Sequence, residues 1–118
     1  MSYWMFVDDE RLPGDVTWVP LRQQIRYLTD QWVIVRNFSQ VVSTISQRGM
    51  PSYISFDHDL GHNEPTGYDI ARHLVQLDLD GIVEFDPHFE FWVHSQNPVG
   101  RENIQRYLTQ YLEFKRGS

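Results

Sequence analysis

Three short polar clusters, each directly after an apolar run, hold the side chains of this chain that can do chemistry: Asp8-Asp9-Glu10-Arg11, Asp57-His58-Asp59 and His94-Ser95-Gln96-Asn97. Carboxylates are hard oxygen donors that suit magnesium, manganese or calcium. Asp8, Asp9 and Asp57, if gathered, repel one another unless a cation lies among them. They read as a divalent-metal site, with magnesium or manganese as the expected ion. The competing reading, that Asp8 and Asp57 only cap the turns that follow them, explains one acid more easily than a group of them. His58 and His94 are the acid and base candidates, because imidazole titrates near neutrality. Either is alternatively a metal ligand or a buried histidine satisfied by hydrogen bonds. Their place at strand exits beside other polar groups favours the functional reading, with Asp57 and Asp59 joining them as the catalytic group. His62, in a loop, is a further candidate, whereas His73 and His88 read as structural or solvated.

Anion binding has separate candidates. Asn97-Pro98-Val99-Gly100-Arg101 opens a helix whose free amides and dipole favour phosphate. Gly100 there permits close approach, and Arg101 offers a forked contact to phosphate oxygens. Arg11 plays the same part from the first loop. Ser95 and Asn97 read as helix caps and as substrate contacts at once. Trp18 is either a packing anchor or a surface on which a base stacks, the anchor being the commoner role. Together these groups point to phosphate chemistry.

Four strands and four helices must position them. Tyr3-Trp4-Met5-Phe6-Val7, Trp32-Val33-Ile34-Val35, Tyr53-Ile54-Ser55-Phe56 and Phe89 to Val93 are strand-like runs. Between them lie helical periodicities: Leu21, Ile25 and Leu28 after Pro20; then Phe38, Val41, Val42 and Ile45, stopped near Gly49 and Pro51. Thr66 and Asp69 form a capping box ahead of Ile70, Ala71, Leu74 and Leu77. Ile104, Tyr107, Leu108, Tyr111 and Leu112 follow the helical period most closely. Alternating βα units with right-handed crossovers predict one α/β domain over residues 1–118 with a mainly parallel sheet in the order 2-1-3-4 and helices on both faces. In such a sheet, residues that follow separate strands share one crevice. Trp4, Trp32 and Trp92 belong to the interior, and the acids from Asp78 to Asp86 read as a solvated edge.

Composition narrows the partners. A chain of 118 residues buries roughly two-thirds of its unfolded surface without cross-links, and the absence of cysteine excludes disulfides and thiolate metal sites. A net charge of -6 argues against a duplex nucleic-acid footprint; a small phosphorylated ligand or one RNA end remains. The first residues are too short an apolar run for a signal or membrane span, so the expected location is the cytoplasm. Tyr107, Tyr111 and Phe114 offer aromatic surface for a homodimer.

Phe6-Val7-Asp8-Asp9 and Ile54-Ser55-Phe56-Asp57 resemble the acidic elements of response-regulator receiver domains, in which an acidic pair and a third aspartate hold magnesium and accept a phosphoryl group. Those domains also need a lysine after a fifth strand. The only lysine here is Lys115 in the last helix, and His58 is foreign to the pattern. Asp8-Asp9-x-Arg11, Phe56-Asp57-His58-Asp59-Leu60-Gly61, Thr66-Gly67-Tyr68-Asp69 and His94-Ser95-x-Asn97-Pro98-x-Gly100 together resemble the cyclic-phosphate-processing receiver domains of bacteria and phages. That resemblance implies a receiver-like three-layer sandwich and a role in processing cyclic phosphates of nucleotides or RNA ends. Hydrolysis of a 2′,3′-cyclic phosphate needs a base to activate water and an acid to protonate the departing ribose oxygen, roles that two histidines can divide. The leading expectation is a metal-assisted phosphoesterase. The alternatives are a catalytically inactive receiver-like module that binds a phosphorylated ligand or a partner protein, and an inhibitor of a host protein.

Overall fold

The computed structural model describes residues 2–29 and 31–117. Strand β1 (Trp4–Val7) leads through a one-turn 3-10 helix (Pro13–Asp15) to α1 (Leu21–Tyr27), followed by β2 (Trp32–Val35), α2 (Phe38–Arg48), β3 (Tyr53–Phe56), α3 (Gly67–Leu79), β4 (Glu90–Val93) and α4 (Pro98–Gly117). The strands form one sheet in the order β2-β1-β3-β4, every pair parallel. This is the expected receiver-like α/β arrangement, with β1 and β3 central. Strand ends are level: Val7 pairs with Val35 and Phe56, and Phe56 with Val93. The next residues continue the ladder, with Asp8 N donating to Val35 O at 3.2 Å, Asp57 N to Val7 O at 2.8 Å and His94 N to Phe56 O at 2.9 Å. The polar clusters therefore leave the sheet side by side.

Alternation along the strands builds two cores. Met5, Val7, Ile54, Phe56 and Val93 face α2, α3 and α4, where Val41, Ile45, Ile70, Leu74, Ile104 and Leu108 meet them. Phe6 and Tyr53 face the other way, against Val16, Val19, Tyr27 and Trp32, with Trp4, Trp18 and Trp92 packed alongside. Helix starts follow the sequence signals. Thr66 and Asp69 form the capping box of α3, and Asn37 caps α2 by accepting from Gln40 N. No helix among the described residues is long and apolar enough to cross a membrane.

Two expectations are corrected. The apolar stripe of α1 points to solvent: Leu21, Ile25 and Leu28 are 73%, 59% and 77% exposed. The inward face is instead Gln23, Gln24 and Tyr27, because hydrogen bonds set the rotation of this short helix. Tyr53 donates to Gln23 Oε1 at 3.1 Å, Gln24 Nε2 donates to Val19 O at 2.9 Å, and the Tyr27 hydroxyl lies 2.6 Å from Ser55 Oγ. Asp78 is buried rather than solvated. It accepts from Phe85 N at 2.8 Å and from the side chains of Tyr111 and Lys115, which tie the end of α3 to the end of α4. Burial works against its charge, but those donors outweigh it and hold the carboxyl below its ordinary range.

Candidate metal and phosphate site

Asp8 ends β1 in a turn that spends most of its acceptor capacity. Its Oδ1 accepts the amides of Glu10 at 3.0 Å and Arg11 at 2.8 Å, and its Oδ2 accepts from His94 Nε2 at 3.0 Å. Burial disfavours the charge on Asp8, yet these hydrogen bonds prevail and bring its pKa down to about 2. Asp57, also buried, accepts its neighbour's amide, His58 N, on Oδ1 at 2.8 Å. Burial, then the charge of Asp8, push its pKa above the usual value. The Arg11 guanidinium lies between the two, with Nη1 at 3.5 Å from Asp8 Oδ2 and 3.7 Å from Asp57 Oδ2.

Asp8, Asp9 and Asp57 each present a carboxylate oxygen within 4.8 Å of the others. Oxygens that share one hard divalent ion sit about 2.0–2.6 Å from it, so this spacing fits common coordination. Asp57 Oδ2 and the exposed Asp9 retain acceptor capacity, whereas Asp8 Oδ2 already takes His94 Nε2 and, at 3.5 Å, Arg11 Nη1, so a cation there would displace that long arginine contact. A cation there would also relieve the repulsion that raises Asp57. Calcium, magnesium and manganese all suit such donors, so the donor set alone does not choose the ion.

Behind Asp8 runs a buried polar chain. His94 Nε2 meets Asp8, its Nδ1 lies 2.7 Å from Ser55 Oγ, and Ser55 Oγ lies 2.6 Å from the Tyr27 hydroxyl. The His94 ring stacks on Phe6 at 4.7 Å and is fully buried. Both its nitrogens are thus engaged within the chain, and it sits beneath the carboxylates instead of at the crevice. Trp18 is tied to the same residue, donating Nε1 to His94 O at 2.8 Å.

His58 is placed differently. Its ring is about a fifth exposed (19%), and Nδ1 pairs with Asp59 Oδ1 at 2.9 Å. Asp59 Oδ2 accepts from Asn97 Nδ2 at 3.2 Å, which joins the β3 exit to the start of α4. The His58 hydrogen bond, opposed by modest burial, lowers the Asp59 pKa. Gly100 is needed by this imidazole: a Cβ there would stand 2.3 Å from His58 Cγ. The expected close approach at Gly100 is therefore made by His58, and the Gly100 amide is already spent on Asn97 Oδ1 at 3.0 Å. Gly67 serves the same wall, since a Cβ there would lie 2.0 Å from Asp57 O.

The carboxylates open into a crevice of about 600 Å³ whose walls include Asp9, Arg11, Asp57, Asp59, His62, Ser95, Gln96 and Asn97. Arg101 is not among them. It is exposed and lines a separate cleft with Trp18 and Trp92, because α4 turns it past Ser95 and toward the β4 edge. His62, the loop candidate, does line the crevice. His73 packs edge-on to Phe38, away from it.

Three contributors, Ser55, Tyr27 and Arg36, escaped the sequence reading, and Gln96 was named only within its cluster. Ser55 and Tyr27 complete the buried chain. Gln96 accepts from Arg11 Nη2 at 3.0 Å. Arg36 donates Nη1 to the carbonyls of Asp8 at 3.1 Å and Arg11 at 2.7 Å, fixing the first loop. A serine inside an apolar strand and an arginine directly after β2 were the available signals; Tyr27 gave none.

A family model described as the cyclic-phosphate processing receiver domain matches residues 3–110. No curated protein and no solved structure matches the chain.

Proposed function

This chain belongs to the cyclic-phosphate processing receiver domain family, and from that premise we propose that it is a metal-assisted phosphoesterase that opens a cyclic phosphate of a nucleotide or RNA end. The observation that carries the reading is the convergence of Asp8, Asp9 and Asp57 within 4.8 Å, in a crevice that Arg11, Asp59 and Asn97 line; His58 is not one of its lining residues and reaches it through its partner Asp59. A divalent ion bound there supplies Lewis-acid stabilisation of charge on the phosphoryl oxygens. Arg11, held on Gln96, and the amide side chain of Asn97 orient the phosphate. His58, fixed through Asp59, takes the proton of the attacking water, and His62 in the crevice wall gives one to the departing ribose oxygen. One P–O bond forms and one breaks, leaving a phosphate monoester and a free hydroxyl. His94 acts behind Asp8 as a positioning residue, because neither of its nitrogens reaches the crevice.

Incubation with nucleoside 2′,3′-cyclic phosphates, with and without magnesium or manganese, tests the reading. Turnover that needs metal and disappears in Asp57→Asn and His58→Ala supports it. Turnover that survives both variants overturns it. A second reading, a module that binds a phosphorylated ligand without chemistry, is favoured by the complete burial of His94; tight binding without product would select it.

A further inference from the structure

Beyond Ser95, which borders both spaces, lies a second cleft of about 240 Å³. Trp18 and Trp92 line it, Pro20 and Val93 form its floor, and Arg101 and Gln105 stand at its α4 side. We propose that this cleft takes the nucleobase of the nucleotide whose phosphate occupies the neighbouring crevice. The substrate class is then a nucleoside cyclic phosphate or a nucleic-acid strand end, not a base-free sugar phosphate. The proposal rests on the phosphate reading of the crevice and adds to it a binding surface for the base.

The two spaces are joined physically. The Arg11 guanidinium sits 4.8 Å over the Trp18 ring while its Nη1 reaches Asp8 at 3.5 Å and Asp57 at 3.7 Å. One side chain therefore separates the indole from the carboxylates, a span that a ribose bridges between base and phosphate. Trp18 is rigid, because its Nε1 is anchored on His94 O at 2.8 Å. Rigid aromatic faces bind bases by stacking, which tolerates any base. Neither indole N–H is offered to a ligand: that of Trp18 is spent on His94, and that of Trp92 is buried without a partner. Base identity is accordingly read weakly, by stacking area. Arg101 makes no ion pair among the described residues. In a chain of net charge -6, such a cation beside aromatic walls suits a base edge or the next phosphate of a strand.

The test uses the full chain in magnesium and follows the indole N–H resonances of its tryptophans during titration. The probes are adenosine 2′,3′-cyclic phosphate, a dinucleotide ending in that group, glycerol 1,2-cyclic phosphate and adenosine. The nucleotide is expected to bind on the order of tenfold more tightly than the glycerol ester, to shift Trp18 and Trp92 while leaving Trp4 and Trp32 in place, and to lose most of that advantage in Trp92→Leu. A further gain for the dinucleotide that vanishes in Arg101→Glu assigns Arg101 to the strand. Equal affinity for nucleotide and glycerol ester overturns the base site and leaves the phosphate site standing. If neither ester binds but adenosine shifts Trp18 and Trp92, the base site stands and the phosphate reading falls. Absence of any shift at Trp18 and Trp92 with every probe removes the proposal whether or not Trp92→Leu folds.

Discussion

Ser55 Oγ lies 2.7 Å from His94 Nδ1 and so holds the imidazole by the nitrogen that Asp8 does not use. An ionised Asp8 calls for a donor, which in a neutral ring is Nε2–H. With that donor placed, Nδ1 accepts from Ser55 and Ser55 accepts from Tyr27, so His94, Ser55 and Tyr27 each have a partner. The His94 bond keeps Asp8 an ionised acceptor, and the long Arg11 Nη1 contact at 3.5 Å is the one a cation would replace.

Replacing Ser55 by Ala leaves His94 Nδ1 and the Tyr27 hydroxyl buried without partners. The expected loss is about 1–3 kcal/mol of unfolding free energy, read from urea denaturation, together with weaker manganese binding by calorimetry. A Ser55→Ala protein as stable as the parent and with unchanged metal affinity would show that the chain is incidental.

Asp57→Asn removes one of two buried like charges. The parent at neutral pH carries the cost of ionised Asp57, whose pKa is raised by burial and by Asp8. That cost sets in as pH rises through the unfolded carboxylate range and is absent below it. The variant is therefore expected to gain on the order of 1 kcal/mol at pH 7, a Tm rise of a few degrees, and to lose the stabilisation that magnesium or manganese gives the parent by binding the folded state. Thermal scans with and without metal decide it; a variant that melts lower, or still responds to metal, contradicts the assignment.

Asp8 behaves in the opposite sense. Its pKa of about 2 lies below the ordinary carboxylate value of 3.8, so its stabilisation is complete above the unfolded value and is lost as pH falls from there through about 2. Acid unfolding of the parent is expected to contain this loss, and His94→Gln, which keeps a donor without a full imidazole, should shift the transition to higher pH. Superimposable acid transitions would show that the His94 bond contributes nothing.

The fold and the place of the site were legible because they rest on a short-range pattern: apolar runs cut off by Asp8, Asp57 and His94, which a parallel sheet must bring to one edge. What failed depended on rotation and long-range pairing. Leu21, Ile25 and Leu28 have helical spacing, but the hydrogen bonds that Tyr27 makes with Ser55 and Gln23 accepts from Tyr53 turn the other face inward. Asp78 looks like one more surface acid until Tyr111 and Lys115, a full helix later, fold over it. Arg101 and Gly100 belong to a helix start that reads as an anion site, yet Asn97 consumes the amide and the helix carries Arg101 away.

Two glycines separate structure from chemistry. Gly100→Ala sets a methyl against the His58 ring, which must swing away from Asp59, while the α4 backbone tolerates alanine well. Turnover is expected to fall about 100-fold, the scale of a roughly 1 Å misplacement, with Tm little changed. Gly67→Ala instead meets the fixed carbonyl of Asp57 at 2.0 Å, so α3 itself must move. That variant should lose about 1–3 kcal/mol or more of stability. Circular dichroism melts and steady-state kinetics on both proteins give the comparison, and intact activity in Gly100→Ala would remove His58 from the mechanism.

Asp78 supplies the control that is remote from the crevice. Asp78→Ala leaves Phe85 N and the Tyr111 hydroxyl without their shared acceptor, and donors left unsatisfied in this way cost about 1–3 kcal/mol each. Lys115 is 37% exposed, so Lys115→Ala should cost much less, about 1 kcal/mol or below, because water reaches the lost contact. Both variants should keep the parent's metal affinity wherever they remain folded, since Asp78 lies at the far ends of α3 and α4. Urea unfolding and manganese calorimetry at the same temperature check the two halves of this expectation. Equal destabilisation by both substitutions would place the energy in the ion pair itself and not in the buried amide and hydroxyl that only Asp78 satisfies.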